Sequence, residues 1–418
     1  MGILPVRRKA RRISLLLIAL LLCGAAALAA AHLRAWYHYR AGQGDLDHYH
    51  FTEARNHLAI SLHAWPDSWR VRLLAARAAR LDGDVEQAQQ YLQHCQQAQP
   101  DNPAVLLEWA LLRASVGELA EVEQYLSDQL RREASQTSLI QDALLMGYIR
   151  TYRIGQALAG VEDWLKRQPE DTQALFLQGC TWQQIHRPQM ALRSYRRAWE
   201  LDPQRDDVRW RLAQCLMELN LADEAVSHLE YLHQRDPGKE DITVELAGAR
   251  FKQGRVSEAR RLLDAVLAEH PNNEVALRER GRIALAAEDA AEAEKWLRQA
   301  SRLSPNDGQV LQLLSNALHH QGNQDEAQAL QERLKQMARD FQRLEEMCQR
   351  ELGERPNDAV LHSEFGALLL RLGYPEAGRR WLLLALQVDP NCAPARAALE
   401  GANPNKAVSV SGRGRSIR

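Results

Sequence analysis

LDPQRDDVRWRLAQCLMELNLADEAVSHLEYLHQRDP, residues 201–237, holds one full period of this chain. Pro203 opens it, and Pro237 opens the next. Ala213, Asn220 and Ala225 stand ten, seventeen and twenty-two residues after Pro203. Between these marks apolar residues recur at steps of three and four, the period of an α-helix. Small residues at the first and third marks are expected where two antiparallel helices cross closely. The second mark calls for a left-handed residue that ends the first helix and opens the turn. The proline stops the second helix, because it lacks an N–H and clashes with the preceding turn.

The same text runs in both directions. Pro66 and Pro100 start a ladder with a step of thirty-four, one rung is missing near Ala134, and Pro169, Pro203, Pro237, Pro271 and Pro305 resume it. A step of fifty-one leads to Pro356, and the thirty-four-residue step returns at Pro390. The first mark recurs as Ala76, Ala110, Gly179, Ala247, Gly281, Ser315 and Gly366, and the second as Gly83, Gly117, Gly254, Gly322 and Gly373. A ladder in register means stacked supersecondary units, each packing on its neighbours, in place of one globular core.

This pattern resembles the tetratricopeptide repeat. The resemblance covers about residues 36–400 and implies an all-α fold, a right-handed α-solenoid of about ten helix–turn–helix repeats. The aromatic positions of that repeat are only partly kept: Tyr195 fits, whereas many others are Leu. The unit around residues 135–168 follows the pattern least.

The resemblance also implies that the first helix of each pair lines a concave face that holds proteins or peptides. In this register the face includes Arg70, Arg77, Phe176, Gln183, Trp210, Gln214, Met217, Phe251, Arg278, Arg282 and Asn316. Exposed aromatics beside Arg make binding hot spots; the other reading of Trp210 and Phe176 is packing between units. The chaperone-binding members of the family grip a carboxylate tail with Lys and Asn. The matching positions here are Leu73 and Arg77, Leu107 and Leu111, and Phe176 and Cys180, so that clamp is not expected.

The N-terminal segment is of another kind. Arg7, Arg8, Lys9, Arg11 and Arg12 precede an apolar run from Ile13 to Ala31, while only Arg34 and Arg40 follow closely. At ~1.5 Å per residue the run matches a ~30 Å hydrocarbon core. The expected organisation is a basic cytoplasmic stretch at 1–12, a transmembrane helix at 13–32 and repeats outside the cytoplasm, periplasmic in a bacterium. A cleaved signal peptide is the alternative, since Ala27-Leu28-Ala29 and Ala29-Ala30-Ala31 both read as cleavage sites.

From Asn323 to Leu352 there is neither Gly nor Pro, so one long helix is expected there. Leu330, Leu334, Met337, Phe341, Leu344 and Cys348 form a heptad seam on it. The seam reads either as a surface for a partner helix or a second copy of this chain, or as packing on the neighbouring unit. Residues 401–418 are polar, lack an apolar period and are expected to be disordered.

Few functions other than binding remain. The 53 Lys and Arg against 54 Asp and Glu give a net charge of −1, which argues against nucleic-acid binding by phosphate neutralisation. No phosphate loop, GxSxG or HExxH occurs, so no catalytic site and no cofactor are expected. The six cysteines contain no CxxC, and they read as small apolar filler in helix packing. Asp45, Asp47, His48 and His50 gather at one turn. They read as a solvated turn capped by Asp47 or Thr52, or as ligands of zinc or nickel; a metal-dependent sensor would use the histidines near the apolar run, His32, His38, His48, His50, His57 and His63; no metal site is assigned.

Overall fold

The computed structural model describes residues 4–132, 137–151, 153–355 and 357–401; the side chains of 4–20, 132, 349 and 353 lie outside that description. The missing rung near Ala134, the rung at Pro356 and the tail from 402 therefore fall outside the described residues. The described residues are helical, with no strand among them, and divide into two units, 1–235 and 236–418.

Unit 1 pairs α1 (Leu4–Asp47) with α2 (Phe51–Ala64), α3 (Trp69–Leu81) with α4 (Val85–Ala98), and α5 (Pro103–Ser115) with α6 (Glu123–Arg132). It continues with α7 (Thr137–Arg150) and α8 (Ile154–Arg167), α9 (Thr172–Gln184) and α10 (Pro188–Leu201), and α11 (Asp206–Glu218) and α12 (Ala222–Arg235). Unit 2 pairs α13 (Glu240–Lys252) with α14 (Val256–Glu269), α15 (Glu274–Ala286) with α16 (Ala290–Leu303), and α17 (Gly308–His320) with α18 (Gln324–Glu346). It ends in α19 (Ala359–Arg371), α20 (Pro375–Val388) and α21 (Ala393–Gly401). In both units the first helices of successive pairs also touch: α5 with α7 and α7 with α9, then α13 with α15 and α15 with α17.

The sequence marks have direct causes. Gly83, Gly117, Gly254, Gly322 and Gly373 all hold positive φ, as does Asn220 (59°). Two further periods without Gly keep the conformation, with His186 at φ 54° and Glu288 at φ 61°. At the first mark, a Cβ on Gly179 would lie 2.4 Å from the Tyr195 ring, and one on Gly281 would lie 2.5 Å from Leu297. The second helix inserts one large side chain at the same place in most periods: Leu92, Leu126, Tyr195, Leu229, Leu263, Leu297 and Leu382 are all 0% exposed. This knob, twenty-six residues after the proline, is why the opposite position stays small.

Two residues after the proline, Ser68, Asn102, Asp171, Asn273, Asp307 and Asp358 cap the first helices through side-chain oxygens. Arg205 and Lys239 break the rule and make no cap bond.

The N-terminal apolar run has no break before the repeats, since α1 is one helix of 44 residues. Ala35 is its first buried side chain among those described; Leu21, Leu22, Leu28 and Leu33 before it are at least 65% exposed. Among the described residues no helix is long and apolar enough to cross a membrane. The span expected at 13–32 begins in residues whose side chains are not described.

The long helix is present as α18. It runs on through a π-turn at Met347–Glu351 and a last turn at Leu352–Glu354. Met337, Leu344 and Met347 are buried against Leu361, Phe365, Leu368 and Leu372 of the following pair, with Leu330 and Leu334 partly buried beside them. The seam thus packs within its own chain, while Phe341 remains 46% exposed and Cys348 is also exposed.

Candidate functional site

The turn between α1 and α2 returns to helices far along unit 1. Tyr49 takes a left-handed φ of 62°, which sends the chain sharply into α2. Its hydroxyl donates to Asp171 Oδ2 at 3.5 Å, His50 Nε2 lies 3.2 Å from Asp202 Oδ2, and Glu53 pairs with Arg235. Phe51 is 6% exposed. Burial, with the Asp171 carboxylate beside it, pushes the Tyr49 phenol well above its ordinary value.

Arg205 receives this turn. Its guanidinium lies 5.1 Å from the Tyr49 ring, 5.9 Å from Phe51 and 5.3 Å from Phe176. It donates to Gln173 Oε1 at 2.7 Å and to Asp207 Oδ2 at 2.5 Å. With 1% exposure it is among the most buried large side chains. A cation so enclosed needs hydrogen bonds and a countercharge, and Asp207 supplies the latter. Sequence reasoning passed over Arg205. The available signal was its place in the cap ladder, where six other periods carry Ser, Asn or Asp and that of Lys239 does not.

The polar line continues across the first helices. Gln173 Nε2 donates to Asp142 Oδ1 at 2.5 Å, and Asp142 Oδ2 lies 3.9 Å from Arg80 Nη1. Arg80 Nε donates to Glu108 Oε1 at 2.8 Å, and Arg77 Nε to Glu108 Oε2 at 2.9 Å. Burial alone would raise the Glu108 carboxyl, but Arg77 and Arg80 outweigh it and hold it below its ordinary value. Asp142 is left with a raised pKa, because its burial exceeds the opposing pull of Arg80 and Gln173.

Beside this line opens a pocket of about 190 Å³, to which α3, α5, α7, α9 and α11 all contribute. Arg80, Asp82, Asp142, Met146, Arg150, Phe176, Asp207, Trp210 and Arg211 line it, and Phe51 comes from the docked turn. One enclosure therefore joins five hairpins, with charged, aromatic and aliphatic side chains together.

The expected face residues divide accordingly. Phe176 and Trp210 line the pocket; Phe176 is buried and Trp210 half-buried, so Phe176 packs and faces the pocket at once. Arg77 is held by Glu108, and Gln183 Oε1 accepts from the Tyr195 hydroxyl at 3.0 Å. Arg70 is exposed beside Trp69, its guanidinium 5.6 Å from that ring. Gln214 takes Arg211 Nη1 at 3.2 Å, and Met217 is half-buried on the same helix. In unit 2, Arg282 lies 5.0 Å from the Phe251 ring, Arg278 reaches Asp307 at 3.3 Å, and Asn316 accepts from Gln312 at 3.1 Å. Of the seam residues, Leu334 and Leu344 pack inward and Phe341 does not.

The histidines near α1 are engaged separately. His38 Nδ1 lies 2.7 Å from His57 Nδ1, and His48 Nδ1 lies 2.7 Å from the Gly44 carbonyl. Among the described residues no group of three or more His, Cys, Asp or Glu is placed to hold a metal ion. The expected cap of α2 is corrected as well. His50 stands at the N-cap without a side-chain cap bond, while Thr52 donates to Asp82 at 3.1 Å.

Family models of the tetratricopeptide repeat match residues 39–103, 186–227 and 221–280. The chain therefore carries tetratricopeptide repeats in these segments. Among solved structures it is similar to the Cut9-Hcn1 hetero-tetramer of APC/C, at 16% identity over 88% of this chain and 76% of that chain, with a TM-score of 0.45. It is also similar to PilW, a type IV pilus biogenesis factor, at 18% identity over 64% of this chain and 100% of that chain, TM-score 0.37. A human IFIT1 dimer with m7Gppp-AAAA is similar at 16% identity over 77% and 90%, TM-score 0.44. These likenesses carry no statement about what this chain binds. No curated protein matches it.

Proposed function

We propose that this protein is a non-catalytic scaffold that holds a segment of another protein in the unit-1 pocket and is tethered to an envelope membrane by α1. The pocket carries the binding part of this reading. Five first helices and the docked turn build one enclosure with aromatic, aliphatic and charged walls, a composition suited to side-chain recognition. Tetratricopeptide repeats generally bind proteins or peptides, which agrees with it. The membrane part is supported by the described half of the apolar run. From Leu21 to Arg34 every side chain is exposed, including four Leu, and an apolar surface of this kind calls for a cover. A lipid bilayer fits the basic residues that precede the run.

Photo-crosslinking in cells from position Trp210, with Arg278 as a unit-2 probe, tests the binding part. A defined partner captured at Trp210 in the membrane fraction is the expected result; no partner at either position refutes the scaffold reading. The N-terminus is tested by intact mass and alkaline extraction of membranes. A chain beginning near Ala30 and found in the soluble fraction would replace the anchor with a cleaved signal.

A further inference from the structure

The pocket of unit 1 has a charge pattern that selects its ligand. Three carboxylates line it, and each already has a partner from this chain. Asp82 accepts from Arg55 Nη1 at 2.5 Å, Asp142 from Gln173 at 2.5 Å, and Asp207 from Arg205 at 2.5 Å. Arg55 and Arg205 do not themselves line it. Three guanidinium groups also line it, and these are incompletely matched. Arg150 and Arg211 are exposed, and no ion pair to either occurs among the described residues; Arg211 reaches only the neutral Gln214. Arg80 has 1% side-chain exposure; its Nε is bound to Glu108, but its Nη2 has no hydrogen-bond partner. The three carboxylates and three guanidinium groups of the lining balance in number, and the unmatched groups are all donors.

The apolar walls narrow the choice. Phe51, Met146, Phe176 and Trp210 share the enclosure, whose volume of about 190 Å³ suits one or two side chains and not a folded surface. A phosphate chain is a poor fit, because Asp82, Asp142 and Asp207 would face its multiple charges. A single carboxylate on an apolar peptide segment matches both walls.

Resting on the peptide-binding reading above, we propose that the unit-1 pocket receives an extended peptide segment through one carboxylate and one adjacent apolar side chain. Arg150 and Arg211 take the carboxylate, and Phe51 and Trp210 enclose the apolar group. Guanidinium groups bind carboxylates with charge-assisted, often bidentate hydrogen bonds. The carboxylate can come from Asp or Glu or from a chain end. Phe51 gives the pocket a second property. It is carried by the α1–α2 turn, so the enclosure is complete only while that turn is docked on Arg205.

The test uses the full chain in detergent micelles and a displayed library of short random peptides. The expected winners pair Asp or Glu with an apolar neighbour. Fluorescence anisotropy then compares each winner with its Gln or Asn counterpart, and amidated with free C-termini, which separates the two carboxylate sources. Arg150→Glu with Arg211→Glu should weaken binding by roughly tenfold or more, the scale of one hydrogen bond to a charged group. Both residues are exposed, and the unfolding midpoint of the double variant is measured beside the affinity. Phe51→Ala should weaken the same peptides without changing their acidic preference. Winners that are neutral or basic, or that are insensitive to the double variant, overturn the carboxylate assignment and leave the peptide-binding reading standing. An oligouridylate that binds this pocket while no peptide is enriched also overturns it. No enrichment, together with no partner crosslinked at Trp210, removes both.

Discussion

Glu288 shows how a repeat tolerates a misfit residue. It holds φ 61° at the turn where most other periods have Gly, and it is exposed. A left-handed non-Gly residue costs about 1–2 kcal/mol, and Gly returns about 0.5–1 kcal/mol of that as lost chain entropy. Glu288→Gly should therefore stabilise the protein by about 0.5–1 kcal/mol, read as a higher denaturation midpoint. An unchanged or lower midpoint would mean that neighbours already support the side chain. Arg205 is the opposite case. Arg205→Ser would restore a helix cap worth about 1 kcal/mol. It would also remove the bonds to Gln173 and Asp207 and the cation beneath Tyr49 and Phe51. The expected net effect is destabilisation, with the α1–α2 turn released. Amide hydrogen exchange at residues 48–53 should be slow in the parent and fast in the variant; equal protection would show that Arg205 does not hold the turn.

Within one hairpin the decisive contact is knob against small residue. A methyl group on Gly281 would meet Leu297 Cγ at 2.5 Å, so Gly281→Ala should cost about 1–3 kcal/mol by overpacking. Leu297→Ala alone should cost about 2–5 kcal/mol through the cavity it leaves. The double variant should lose less than the sum, because the new methyl group enters the vacated space. Additive losses in a double-mutant cycle would show that the two side chains do not share that space. The small residue was legible in the sequence and so was the turn glycine, because both recur in phase with the proline. The partner was not, since the period shows which position is small without showing what enters it. The heptad seam of α18 is similar. Its period announced an apolar face, but the choice between a partner helix and the next pair was made by Leu361, Phe365, Leu368 and Leu372, which cover it.

At the scale of the molecule, the buried charges of unit 1 set an acid response. Glu108 is 0% exposed and held below its ordinary value by Arg77 and Arg80. A lowered carboxyl adds stability above its unfolded pKa and loses it as pH falls through the folded value. Asp142, with its raised value, acts in the opposite direction and recovers stability as it protonates. Glu108→Gln removes the nearer countercharge of the buried Arg80, and that of Arg77, and should cost about 3–5 kcal/mol near neutral pH. Its midpoint should also fall less steeply than the parent's below pH 4.5, the ordinary glutamate value. Equal slopes for the two proteins would place the acid response in other carboxylates, such as Glu123 and Asp340, whose values are also lowered.

By itself, the sequence determined the repeating unit, its helical pairs, the left-handed turns and the apolar N-terminal run. All of these rest on short-range rules: the proline's missing donor, the glycine's freedom and the helical spacing of apolar residues. Tertiary structure decided the site. Tyr49, His50, Phe51 and Glu53 meet Asp171, Asp202, Arg205 and Arg235 only because hairpins distant in the chain come face to face within unit 1. No period connects residues so far apart. Their meeting depends on how each hairpin is rotated on the next, which is set by side-chain packing between neighbours and accumulates over several units.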